Sequence, residues 1–160
     1  MIVRSVFSVV VAVSLFAAPA FAQTNEKYKQ VSEKYVAEAN VALRSENNAQ
    51  AQVLFERAIV ANPANVTALI GLGQTHEAEG RIGRSLKYYR HALEIEPNAL
   101  PALEAQALAF LKRDMIDRAE SNLSKLSRLC PNGCKALDTV ETSIEGYKAR
   151  KADEDQKEQG

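Results

Sequence analysis

The sequence holds little of what usually carries chemistry. Among 160 residues there are two histidines, two cysteines and no tryptophan, and neither charge sign is in excess, with 20 Lys and Arg against 20 Asp and Glu. The two histidines, His76 and His91, fall at different helical phases, and no third ligand is fixed beside them, so no metal centre is expected. No Gly-rich phosphate loop, Gly-x-Ser-x-Gly turn or His-Glu-x-x-His run occurs. With no nucleophile and base to pair, the expectation is a protein that is not an enzyme and needs no cofactor. The basic residues are interspersed with acidic ones rather than clustered. That excludes nucleic-acid binding, which depends on grouped cations displacing counterions from phosphates.

Only one long apolar run exists, from Val6 to Ala18, and it has the layout of a secretory signal. Arg4 precedes it, and the small-x-small triplet Ala20-Phe21-Ala22 follows. The run is shorter than the roughly 20 residues that cross a bilayer, and Pro19 interrupts it, so no membrane span is expected in the mature form. Residues 1–22 are therefore read as a signal peptide cleaved after Ala22, which places the mature chain in the periplasm or outside the cell. Cleavage removes Arg4 and leaves a formal charge of −1.

What the sequence does contain is a period. Pro63, Pro97 and Pro131 stand 34 residues apart, and their surroundings recur in phase. Eight residues before each proline lies Phe55, Tyr89 or Leu123, and twelve before it Ala51, Ser85 or Ala119. Further upstream, Ala39, Gly73 and Ala107 share one phase and Tyr35, Leu69 and Leu103 another. A repeat of this length signifies stacked helical hairpins. The units are 32–65, 66–99 and 100–133, with 23–31 extending the first helix. In the second unit the expected helices are Val66 to Ala78 and Gly83 to Ile95, broken at Glu79-Gly80, where glycine tolerates a left-handed backbone. Each of the three prolines ends a helix because it has no N–H to donate. Pro101 instead suits a first helical turn. Gly73 and Ser85 are expected to face each other inside the hairpin, bringing the axes close, while Phe55 and Tyr89 fill the space between units. Leu137, Val140, Ile144 and Tyr147 form one stripe, read as a capping helix over 134–150. Residues 151–160 have almost no apolar content and are expected to be a disordered charged tail. The fold class is all-α, a short right-handed α-solenoid of three helix-turn-helix repeats with a C-terminal capping helix.

Leu69, Leu72-Gly73, Ser85, Tyr89, Ala92 and Pro97 together make the second unit resemble the tetratricopeptide repeat family. The other units depart from it: Glu38 and Gln106 hold the phase of Leu72, and Leu126 replaces an alanine. The resemblance implies a concave groove lined by the first helix of each unit. Transferred by position, its exposed residues are Glu33, Val36, Asn40, Leu43 and Arg44 in the first unit, then Thr67, Ile70, Gln74 and Glu77, then Glu104, Leu108, Leu111 and Lys112. Val36, Ile70, Leu108 and Leu111 are the expected apolar anchors for a peptide or partner helix. Chaperone-binding members hold a terminal carboxylate in a basic and amide clamp, of which only Asn40 is present here. Val36, Gly71, Pro101 and Ala105 stand where Lys, Asn, Lys and Arg would be.

Cys130 and Cys134 flank Pro-Asn-Gly after the third unit. In an oxidising compartment two cysteines this close at a tight turn are expected to form a disulfide. Their three-residue spacer does not match a thioredoxin-type motif, and Lys135 stands where haem attachment needs histidine. The functional expectation is a non-catalytic exported scaffold that binds a protein or peptide, placed by analogy in cell-envelope biogenesis or secretion. The alternative is a copper or redox carrier using Cys130 and Cys134.

Overall fold

A computed structural model describes residues 19–158. Among these residues seven helices follow one another: α1 (Pro19–Arg44), α2 (Asn48–Ala61), α3 (Val66–Ala78), α4 (Ile82–Ile95), α5 (Leu100–Leu111), α6 (Ile116–Leu129) and α7 (Lys135–Glu158). No strand occurs among the described residues. The helices pair as three hairpins, α1 with α2, α3 with α4 and α5 with α6, and α7 closes the stack against α5 and α6. The architecture is an all-α solenoid. The signal-peptide expectation falls largely on residues outside those described, although Pro19 already belongs to α1.

Local chemistry sets the boundaries. Asn47 and Asn65 cap α2 and α3, their side-chain oxygens accepting from the N–H of Gln50 at 3.2 Å and of Ala68 at 3.0 Å. Pro63, Pro97 and Pro131 each lie just beyond a helix C-cap, at Asn62, Glu96 and Cys130, and Pro101 sits in the first turn of α5. The turn inside each hairpin needs one left-handed residue at the same phase of the repeat. Gly80 supplies it at φ 74° in the second unit, whereas Glu46 (φ 58°) and Asp114 (φ 55°) adopt it in the others.

The core runs unbroken along the stack, because Ile59, Tyr88, Leu86 and Leu93 each pack against two adjoining clusters. Phe55 and Tyr89 are fully buried. Gly73 packs directly on the Tyr89 ring, and Gly71 packs in the same way on Phe55. A methyl group at Gly73 would stand 2.1 Å from Tyr89 Cε1. The small residue at Gly73 thus makes room for an aromatic ring, and the buried Ser85 hydroxyl donates to the Ile82 carbonyl in its own helix.

One buried hydroxyl ties the two helices of the first hairpin together and to the start of the second. Ser32, fully buried, donates to the Ala58 carbonyl at 2.8 Å and accepts from Asn65 Nδ2 at 2.7 Å. At the other end, Leu126 is buried with Ala136, Val140 and Ile144 of α7, so the residue that departs from the repeat pattern is the one that receives the cap. Tyr147 donates to Asp114 Oδ1 at 3.1 Å, and Lys148 pairs with Glu120 at 2.6 Å.

The expected disordered tail is corrected over 151–158, which continue α7 as helix, exposed over 151–157. A helix already nucleated by a packed face extends cheaply through good helix formers such as Ala152, Glu154 and Gln156. Lys151 also bridges to Asp114 at 3.6 Å and to Glu154 at 3.0 Å.

Candidate functional site: a groove on alpha3, alpha5 and alpha7

Two adjoining clefts, each of about 390 Å³, form a groove along α3, α5 and α7 and share Glu77, Leu108 and Lys112. The first is completed by Gln74, Ala78, Tyr89, Pro101, Glu104 and Ala105, the second by Leu111, Thr142, Ser143, Gly146 and Arg150. Helix periodicity explains the set: Glu104, Leu108 and Leu111 recur at steps of four and three on α5, and Lys112, its C-cap, follows four residues after Leu108, so they share one face. Glu77 is held at the centre. Its Oε2 accepts from the Tyr89 hydroxyl at 2.7 Å, and its Oε1 pairs with Lys112 Nζ at 2.7 Å. Burial, reinforced by the Glu77 charge and hydrogen bond, pushes the Tyr89 hydroxyl well above the usual phenol range, so it remains a donor at any physiological pH. The carboxylate is thereby hydrogen-bonded on one oxygen and paired with a cation on the other. The groove is left with an apolar strip at Leu108 and Leu111, with Glu104 and Arg150 as charges at its margins.

Of the residues expected in the groove, Gln74, Glu77, Glu104, Leu108 and Leu111 come together here. Asn40 lies elsewhere, in a cleft of about 490 Å³ between α1 and α3, with Glu33, Val36 and Thr67. Val36 and Ile70 are corrected as anchors: both are buried, Val36 in the first core cluster and Ile70 in the cluster around Leu69 and Tyr89. Leu43 is half-buried against the first cluster. Three small units curl tightly enough that the apolar positions of α1 and α3 face neighbouring helices instead of solvent. Sequence reasoning missed Tyr89, which reaches the groove floor through the space left by Gly73, and it missed the α7 wall. The α7 stripe was legible only on its buried side, and its polar side gave no signal of facing a groove.

The cysteines are joined, with Cα atoms 5.8 Å apart and Cys130 buried. Both sulfurs are consumed by that bond, so the copper or redox-carrier reading would first require its reduction. No group of three metal-ligating side chains comes together among the described residues. His91 is exposed, whereas His76 is buried.

Residues 36–99 match the family model for the tetratricopeptide repeat. The fold is a tetratricopeptide-repeat solenoid. Solved structures agree on it at low identity. The type III secretion chaperone SycD of Yersinia enterocolitica, in complex with a peptide of the translocator YopD, superposes with a TM-score of 0.66 at 22% identity, covering 74% of this chain and 93% of that one. The Arabidopsis OM64 TPR domain gives 0.67 at 17% identity, with coverage of 75% and 98%. The first TPR of Spaghetti (RPAP3), bound to an HSP90 peptide, gives 0.64 at 12%, with coverage of 73% and 95%. No curated protein matches the sequence.

Proposed function

We propose that this protein is a non-catalytic, exported interaction scaffold that holds a short peptide or helix of a partner protein in the groove of α3, α5 and α7. The observation that carries the reading is the pairing of an accessible apolar strip, Leu108 and Leu111, with a central carboxylate already hydrogen-bonded by Tyr89 and paired with Lys112. Such a surface favours an apolar side chain and does not repel a backbone carbonyl. Two similar folds were solved with peptides bound, which supports a peptide as the ligand class. A terminal carboxylate is disfavoured as the recognised group, because the clamp positions hold Val36, Gly71, Pro101 and Ala105. Export is supported by the signal-like segment ending at Ala22 and by a cysteine pair suited to an oxidising compartment. Cell-envelope biogenesis or secretion is the setting by analogy only.

The test is crosslinking capture from the native compartment with parent and Leu108→Asp protein. Leu108 is half-buried and lies outside the core clusters, so the variant is expected to fold with an unchanged helical spectrum and to lose the captured partner. Undiminished capture moves the interface off this groove. Mass spectrometry of the exported chain is expected to find Gln23 as the first residue, and a retained leader would refute the cleavage assignment.

A further inference from the structure

The wall that carries the groove continues past α3. Helices α1, α3, α5 and α7 contact one another in that order, and Asn40, Gln74 and Leu108 stand 34 residues apart, at one phase of the repeat. Thr67, in the cleft between α1 and α3, and Gln74, in the cleft between α3 and α5, are two turns apart and share one face of α3. The cleft between α1 and α3 therefore opens on the same side of the stack as the groove. Three helix-to-helix steps of about 8–10 Å each make this wall roughly 24–30 Å wide, which about nine residues of extended chain would span.

Charge is distributed unevenly along it. Glu33 and Glu96 line the cleft between α1 and α3, which has no lysine or arginine in its lining. Glu104 lines the next cleft, whose one cation, Lys112, is taken by Glu77. Glu33, Glu96 and Glu104 form no ion pair among the described residues. Lysines near them are engaged otherwise: Lys29 and Lys34, which flank Glu33 in α1, pair with Glu26 and Glu38, and Lys125 donates to the Pro97 carbonyl beside Glu96. Nor do the three carboxylates converge on one ion, since no group of three metal-ligating side chains comes together among the described residues. They are spread along the wall, as several cations carried on one chain would require. At the α7 end the remaining charge in the lining is the opposite one, Arg150.

We infer, resting on the groove reading proposed above, that the bound segment of the partner is basic: an aliphatic side chain sits on Leu108 and Leu111, and lysines or arginines on its α1 side meet Glu104, Glu96 and Glu33. Arg150 sets the direction, because it excludes a cation from the α7 side of the anchor.

The probe is a phage-displayed library of random peptides about nine residues long, selected on the purified protein at physiological salt. Enrichment of lysine and arginine to one side of an aliphatic residue is expected. Enrichment of acidic or uncharged sequences, or of none, overturns the inference. The strongest selected peptide is then labelled and its affinity measured by fluorescence anisotropy. Glu33→Gln, Glu96→Gln and Glu104→Gln are each expected to weaken it about two- to fivefold with an unchanged helical spectrum, the scale of an exposed ion pair, and Arg150→Gln to leave it no weaker. Leu108→Ala distinguishes the groove from the charges. Affinity unchanged in all three glutamine variants but lowered by Leu108→Ala overturns the charge assignment and leaves the groove standing, whereas affinity indifferent to Leu108→Ala overturns both.

Discussion

Gly73→Ala adds one methyl group at the point where the second repeat is most tightly closed. That carbon would lie 2.1, 2.6 and 2.8 Å from three carbons of the Tyr89 ring, where carbons normally rest about 3.5–4.0 Å apart. The ring cannot yield by rotation alone, because Tyr89 is fully buried and its hydroxyl is tied to Glu77 at 2.7 Å. Relief requires α3 and α4 to separate or the ring to leave its site. Overpacking of this kind costs about 1–3 kcal/mol. Loss of a hydrogen bond to a charged group would add about 1.5–3 kcal/mol. Against these, alanine gains about 1 kcal/mol over glycine in a helix interior. The net expectation is destabilisation of roughly 1–4 kcal/mol. Urea unfolding followed by circular dichroism gives the number as a lowered midpoint at unchanged slope. The decisive control repeats the substitution in a Tyr89→Ala background, where the ring is gone. There Gly73→Ala should become neutral or stabilising, so that the two changes are strongly coupled. A parent-like midpoint for Gly73→Ala, or an undiminished cost without the ring, would refute the close-approach argument.

Glu46→Gly relieves a left-handed residue on an exposed turn and should raise the unfolding free energy by about 0.5–1 kcal/mol, read as a higher urea midpoint. Asp114→Gly should fail to stabilise, because Asp114 also receives Tyr147 and Lys151, and a gain matching that of Glu46→Gly would contradict this role. The lowered pKa of His76 means that the unfolded chain takes up its proton first, so stability is complete above the unfolded value of 6.5 and falls as pH drops through the folded one. The slope in that window is at most about 1.4 kcal/mol per pH unit from this group, and it should disappear from the pH–stability profile of His76→Gln. Cys130→Ser, compared with the oxidised parent, should lose about 2 kcal/mol at most, the value for so short a loop. Free-thiol titration of the exported protein should find no reactive cysteine.

Much of the architecture was legible because local chemistry dictates it. A proline cannot donate to the preceding turn, so Pro63, Pro97 and Pro131 mark helix ends without help from any distant contact. The 34-residue recurrence of small and large residues then fixes paired helices, since each hairpin must hide its apolar flank on a neighbour. The stripe Val140, Ile144 and Tyr147 marked the cap for the same reason.

Legibility failed where a residue's role depends on which neighbour reaches it. Val36 and Ile70 occupy groove positions by phase, yet the curvature of a three-unit stack buries them. Gly73 was readable as a close approach, but that the approaching group is the Tyr89 ring follows only from the crossing of α3 and α4. That Lys151, at the start of the exposed end of α7, meets Asp114, far away in sequence, is likewise visible only in the fold. The sequence by itself determined the three hairpins, the helix ends marked by prolines and the pairing, because those rest on backbone hydrogen bonding and a one-dimensional apolar rhythm. Only the tertiary structure decided which polar and apolar side chains share a surface. That choice is set by the curvature of the stack, which arises from the packing of whole helices and is written at no single position.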